Sequence, residues 1–183
     1  MPLIDALMRD MNETGFMPNR GRMVVACYLT MDLKQDWRHG AHHFEQQLID
    51  HDVQSNYGGW AGSSGIGPGR VLVFNSLLQS QKFDVDGKYI RMWCPELAEV
   101  PTDYIHDPWN MPQSLQKKHK IQVGGTDPGP DSDVKYYPEP INCTKYTSAD
   151  AARKIKRKST KLPARGKSTP ANSKLDVFLA KSK

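Results

Sequence analysis

Apolar positions recur at helical spacing near the start of the chain. They fall at the i, i+1, i+4, i+5 and i+8 positions of one stripe, occupied by Leu3, Ile4, Leu7, Met8 and Met11. This spacing predicts an amphipathic helix, and Gly15 follows where a glycine commonly ends one. The first helix should therefore bury one face and expose the other.

Further helices are predicted along the chain by the same criterion. The second, 18–33, begins with a proline suited to a first helical turn and is apolar almost all round, so it should be buried. Three more are predicted at 41–49, Ser76–Phe83 and Lys88–Trp93. Because no convincing strand alternation appears, the predicted fold class is all-α.

Three stretches lack a pattern of burial. Residues 58–69 include six glycines, which predicts a tight loop, and residues 124–140 are rich in Gly, Pro and Asp, which predicts a surface connector. Beyond about residue 158 the chain has little to bury, which is typical of disorder. The predicted organisation is one domain, 1–157, followed by a disordered basic tail, 158–183.

Charge is distributed unevenly over the 183 residues. Residues 145–183 contain twelve Lys or Arg against two Asp, so the net charge of +5 combines a tail near +10 with a body near −5. Such a tail is either a solvated end or an electrostatic contact with nucleic acid, and the solvated end is the favoured interpretation.

The cysteine and apolar patterns exclude other classes of protein. Three widely spaced cysteines without a CxxC pair indicate neither a disulfide framework nor a zinc site, and fit a reducing compartment. The longest apolar run, 23–29, is far shorter than the roughly 20 residues of a membrane span. We expect a soluble, intracellular protein without a membrane partner. The nucleus, the cytoplasm and an organelle remain open, and residues 154–158 resemble a nuclear localisation signal.

The most unusual local feature is a set of charged and amide side chains in apolar surroundings. Buried carboxylates need partners, and a guanidinium can satisfy both oxygens of one. Either the set forms a structural ion pair, or it binds a ligand that is polar along one edge and aromatic elsewhere. Its members are Asn19, Arg20, Arg22, Asp50, Asp52 and Asn56.

Tryptophans and histidines lie near this set. Trp37 and Trp60 stand on either side of it in the sequence, and indole is the side chain most readily oxidised by one electron. Beside a redox cofactor the pair could relay charge, although an isolated tryptophan more often serves packing. His39, His42 and His43 lack a further well-spaced ligand, so a surface cluster is favoured over a metal site.

Six short motifs together resemble the photolyase/cryptochrome family, and they occur in the family's order. Asn-Arg-Gly-Arg at 19–22 followed by Ser-Asn-Tyr-Gly at 55–58 is similar to the cryptochrome-DASH branch. The resemblance covers about 2–157. The motifs are TGFMPNRGR (14–22), LIDHD (48–52), SNYGGW (55–60), WCPEL (93–97), IHDPW (105–109) and YPEPI (137–141).

The resemblance implies the C-terminal part of the helical FAD-binding domain. The positions matching Asp50, His51 and Asp52 hold the isoalloxazine edge and ribityl region of FAD, and Asp50 is expected to pair with Arg22. Asn56 matches the residue that faces flavin N5.

The resemblance also implies roles outside the flavin cradle. Asn19 and Arg20 match positions at the mouth, which meet adenine or the DNA lesion. Trp60 and Trp37 match the proximal and middle members of the electron-transfer tryptophan chain. The implied reaction is light-driven repair of cyclobutane pyrimidine dimers in single-stranded or damaged DNA, where flipping a base out costs least.

Departures from the family's pattern modify this expectation. Met1 falls where the family has continuous sequence, so we expect the antenna domain, the segment that wraps the FAD phosphates and the outermost relay tryptophan to be missing, and FAD binding to be weak or absent. Gly62 replaces an aromatic residue that packs on the lesion, and Ser76 replaces a proline. Two alternatives are a cryptochrome that senses light without repair and a cofactor-free nucleic-acid-binding protein acting through its tail. A monomer is favoured.

Overall fold

The computed structural model describes residues 1–67 and 74–141, which all belong to the compact unit Met1–Ala152. This part of the chain contains seven α-helices and one pair of short strands. The predicted all-α class is confirmed. The predicted tail, 158–183, lies outside the described residues. The helices are α1 (Pro2–Thr14), α2 (Asn19–Cys27), α3 (Trp37–Gln47), α4 (Val53–Ser64), α5 (Ser76–Phe83), α6 (Lys88–Trp93) and α7 (Gln113–Lys118).

The first two helices form as their sequences predict. Helix α1 ends at Gly15, whose positive φ of 71° lets its N–H donate to the Met11 carbonyl oxygen. Helix α2 starts after Pro18 and runs on into a π-helical turn, Tyr28–Asp32, so the predicted helix 18–33 is present as two joined parts.

Helix α3 begins four residues earlier than predicted, at Trp37. The reason is an N-cap, since the Asp36 carboxylate accepts a hydrogen bond from the Arg38 N–H at 2.9 Å. The predicted start was based on apolar periodicity alone, which does not register an N-cap residue.

The prediction of a loop at 58–69 was wrong, because helix α4 covers most of this glycine-rich stretch. The Asp52 carboxylate accepts from the Ser55 N–H at 2.7 Å and starts the helix, and Gly65 ends it with a φ of 82°. A Cβ atom at Gly58, Gly59 or Gly62 would meet nothing within 4 Å, so no close approach demands glycine there. The cap and the tertiary packing of the helix outweigh the low helix propensity of glycine.

The prediction that residues 124–140 form only a surface connector was also wrong. Strands β1 (Ile121–Val123) and β2 (Lys135–Tyr137) pair in parallel, with Ile121 opposite Lys135. The side chain of Tyr137 is buried and its hydroxyl donates to the Asp5 carboxylate of α1. The predicted surface connector, 124–140, therefore contributes to the core.

Buried side chains form two clusters. The first cluster is formed mainly by residues of α1, α2, α3 and α4 and includes Trp60. The second is formed mainly by α6, the short 3₁₀ turns that follow it and the strand pair. Trp93 and Trp109 are partly buried against these clusters. Within residues 1–67 and 74–141, no helix is long and apolar enough to cross a membrane.

Candidate functional site

An ion pair joins the start of α2 to the chain between α3 and α4. The Nη2 atom of Arg22 donates to both carboxylate oxygens of Asp50, at 2.9 and 2.8 Å, and its Nε donates to the Met17 carbonyl oxygen at 2.7 Å. The expected pair is thus present. Its side chains are 26% and 45% exposed, and such a pair contributes only about 0–1 kcal/mol to stability.

A cleft opens beside this pair. It is partly open to solvent and has a cavity volume of about 110 Å³, which is smaller than the roughly 300–1,000 Å³ of complete small-molecule sites. Residues from α2, α3, α4 and the turn between α3 and α4 line it: Asn19, Arg22, Met23, Ala26, Phe44, Leu48, Asp50, His51, Asp52, Ser55, Asn56, Gly59, Trp60 and Ser63.

Two polar side chains of the cleft are held in place by the backbone. The Asn56 Nδ2 atom donates to the Ala41 carbonyl oxygen at 2.8 Å, which ties α4 to α3 and leaves the amide oxygen for a ligand. The hydrogen bond from the Ser55 N–H is the main cause that lowers the pKa of Asp52, so this carboxylate is ionised at neutral pH.

His51 has unmet hydrogen-bonding capacity. Both of its ring nitrogens are buried without a partner among the described residues, and the nearest carboxylate oxygen, Oε1 of Glu45, lies 3.9 Å from Nε2. Buried polar atoms are normally paired. The imidazole therefore has hydrogen-bonding capacity that no described residue satisfies.

Trp60 supplies the apolar wall of the cleft. The residue is 3% exposed, and its indole packs edge-on against the Phe44 ring, with the ring centroids 5.0 Å apart. The indole also lies over Gly40. A Cβ atom at Gly40 would stand 2.1 Å from the indole, so only glycine permits this approach.

Two predicted residues lie outside the cleft. Trp37 starts α3 and packs edge-on against the Tyr57 ring, with the centroids 6.3 Å apart. The Arg20 guanidinium lies over the rings of Phe74 and Phe83, at 5.3 and 5.5 Å. The structure therefore brings seven of the nine predicted site residues together and separates these two from them.

Three residues on one face of α4 were not predicted from the sequence: Ser55, Gly59 and Ser63. Together with Asp52 and Asn56 they fall at i, i+3, i+4, i+7 and i+11, and all line the cleft. This helical spacing is present in the sequence. It was not recognised because the glycines were interpreted as a loop.

The lining of the cleft combines two kinds of surface. Carboxylates, an amide and an imidazole without a hydrogen-bond partner stand together with the apolar side chains of Trp60 and Ala26, as a ligand with a polar edge and an aromatic ring would need. Residues 1–157 match the family model of the FAD-binding domain of DNA photolyase. The chain belongs to the photolyase/cryptochrome family. FAD is the cofactor of this domain.

Individual members of the family agree with this assignment. Cryptochrome DASH from Synechocystis sp. is 44% identical over 85% of this chain and 30% of its own length. A deoxyribodipyrimidine photo-lyase from Alkalihalophilus pseudofirmus is 46% identical over 67% of this chain and 26% of its own. The crystal structure of a Synechocystis cryptochrome superposes with a TM-score of 0.69 at 43% identity, over 84% of this chain and 30% of that one. The chain thus spans about 30% of the length of these relatives.

Proposed function

We propose that this chain supplies one wall of an FAD pocket in a blue-light-dependent flavoprotein that repairs cyclobutane pyrimidine dimers in single-stranded DNA. The observation that carries the proposal is the cleft, in which Arg22, Asp50, Asn56 and Trp60 lie together with the unpaired His51. The relatives include both photolyases and DASH cryptochromes, which supports the reaction class.

Each polar residue of the cleft has a proposed task toward the flavin. Asp50, fixed by Arg22, accepts hydrogen bonds from the isoalloxazine edge, and Asp52 and His51 hold the ribityl region. Asn56 presents its amide oxygen toward flavin N5, because its Nδ2 atom is already committed to the Ala41 carbonyl. The side chains of Asp50, Asp52 and Asn56 are anchored before any ligand arrives, which lowers the entropic cost of binding.

The tryptophans are proposed to carry electrons. When bound, reduced FAD would supply, under light, the electron that splits the dimer, and this electron would return to the flavin once the ring has split. Trp60 stands in the cleft wall, shielded from water by Phe44 and Gly40, as a residue that passes electrons toward the flavin should be. Trp37, at the start of α3, is proposed as the next member of the relay.

The start of α2 is proposed to face the nucleic acid. Asn19 lies in the cleft, while the exposed Arg20 side chain is braced by two aromatic rings. A guanidinium fixed in this way is suited to a backbone phosphate, which a single strand presents on its surface.

A second candidate function is light sensing without repair. At Gly62, where the family carries an aromatic residue against the lesion, a Cβ atom would meet nothing within 4 Å. Ser76, which replaces the usual proline, is fully buried and its hydroxyl has no partner among the described residues. The departure at Gly62 removes a lesion contact, and neither residue lines the flavin cleft, which favours a photoreceptor.

Illumination of the flavin-loaded protein separates the two candidates. We expect blue light and a reductant to bleach the flavin absorption, and an irradiated single-stranded oligonucleotide to lose its dimers. Bleaching without loss of dimers supports the photoreceptor. In the Trp60→Phe variant bleaching should slow strongly, whereas the Trp93→Phe variant, altered outside the cleft, should behave as wild type. Equal bleaching in both variants would refute the relay role of Trp60.

A further inference from the structure

Tyr57 connects a tryptophan to a carboxylate on the outer side of α4. Its ring packs edge-on against Trp37, with an interplanar angle of 82°. Its hydroxyl donates to Glu45 Oε2 at 2.8 Å. Glu45 also faces two imidazoles, with His42 Nδ1 at 3.6 Å and His51 Nε2 at 3.9 Å.

This arrangement meets the chemical requirements for oxidation of a tyrosine. A phenol that loses an electron becomes a strong acid, so oxidation proceeds readily only where a base can take the proton at once. The Glu45 carboxylate lies within the roughly 2.6–3.2 Å over which a proton passes directly.

The protonation states of the resting pair are also suitable. The hydrogen bond to Glu45 raises the pKa of Tyr57, and the same bond is the main cause that lowers the pKa of Glu45. At neutral pH the phenol therefore keeps its proton and the carboxylate is free to accept it.

We propose that Tyr57 is a redox-active residue that reduces oxidised Trp37 while passing its phenol proton to Glu45. The electron moves from the phenol to the Trp37 radical cation, which returns to neutral indole. The O–H bond of Tyr57 breaks and an O–H bond forms on Glu45, leaving a neutral tyrosyl radical beside a neutral carboxylic acid. The inference rests on the proposed relay role of Trp37.

Two other tyrosines donate to carboxylates but lack the second feature. The hydroxyls of Tyr89 and Tyr137 donate to Asp10 and Asp5. Within residues 1–67 and 74–141, Tyr57 alone combines a carboxylate hydrogen bond with a ring pairing to a tryptophan. Transfer to Tyr57 would move the oxidising equivalent from Trp37 to a residue whose proton Glu45 accepts. This would delay the return of the oxidising equivalent to the cleft.

Pulse radiolysis tests this transfer without any flavin. Azide radicals oxidise tryptophans of the full chain, and absorption then follows the decay of tryptophanyl and the rise of tyrosyl radicals. We expect a fast transfer phase in wild type that is lost in Tyr57→Phe and Trp37→Phe, and slowed in Glu45→Gln and in heavy water. Tyr136→Phe is the matched control, since that phenol donates to the Gly125 carbonyl oxygen. An unchanged fast phase in Tyr57→Phe would overturn the inference.

The same variants under blue light distinguish this inference from the proposed function. Failure of the flavin-loaded wild type to photoreduce would contradict the proposed function, whereas the radiolysis result would still decide the role of Tyr57. If wild type photoreduces, a tyrosyl electron paramagnetic resonance signal that vanishes in Tyr57→Phe and persists in Tyr136→Phe supports the inference. The same signal in both variants contradicts it.

Discussion

At the scale of single residues, the side chains of the cleft perform structural and ligand-directed tasks together. Asp52 starts α4 by accepting the Ser55 N–H and also lines the cleft. Asn56 ties α4 to α3 through one end of its amide and offers the other end to a ligand. A substitution at either position therefore changes both the helix and the cleft.

Acid should weaken α4 through Asp52. Because the pKa of this carboxyl is lowered in the folded protein, its contribution to stability is present above its unfolded pKa and is lost as pH falls through the folded pKa. We expect Asp52→Ala to lower the urea midpoint at neutral pH. Asp52→Asn, which keeps a capping oxygen, should retain most of the stability and lose less on acidification. Identical acid profiles for wild type and Asp52→Asn would contradict this account.

At the scale of elements, the cleft depends on how closely α3 and α4 approach. The two helices meet where the Trp60 indole lies over Gly40, and the Asn56 amide bridges them one turn away. This contact sets the position of the cleft wall.

A methyl group at Gly40 should separate the two helices. Because a Cβ atom there would stand 2.1 Å from the Trp60 ring, we expect Gly40→Ala to lower the free energy of unfolding by about 1–3 kcal/mol. Gly58→Ala is the matched control. Its Cβ atom meets nothing, so the better helix propensity of alanine should leave stability unchanged or raise it by about 1 kcal/mol. Urea unfolding followed by tryptophan fluorescence measures both, and equal changes would contradict the packing argument.

The same elements show what the sequence could reveal. Helices α1, α5 and α6 follow from apolar spacing and from caps that are local in the sequence. Helix α4 could not be predicted from glycine content, because its stability comes from the Asp52 cap and from contacts of Trp60 and Asn56 with α3. Strands of three residues, as in β1 and β2, are too short to show a two-residue period, and Tyr137 is buried by residues far away in the sequence, among them Ala6 and Ile90.

At the scale of the whole molecule, the site is built on the first of the two core clusters. Helices α2, α3 and α4 both build this cluster and line the cleft, whereas no residue of the second cluster, around α6 and the strand pair, lines it. The motifs located the Arg22–Asp50 pair because the resemblance carries tertiary information. They could not show that Trp37 and Arg20 are absent from the lining of the cleft, and the relay and nucleic-acid roles of these two residues stay predictions.

The central claim is that the cleft beside Arg22 and Asp50 binds FAD. Titration of the purified chain with FAD, followed by flavin fluorescence, tests it most directly. We expect weak but saturable binding, and an affinity about tenfold or more lower in Arg22→Gln, since a hydrogen bond to a charged group contributes about 1.5–3 kcal/mol. The control Arg38→Gln removes the Arg38–Asp36 pair, which is absent from the lining of the cleft, and should bind as wild type. Equal losses in the two variants, or no saturable binding to the wild-type chain, would contradict the account.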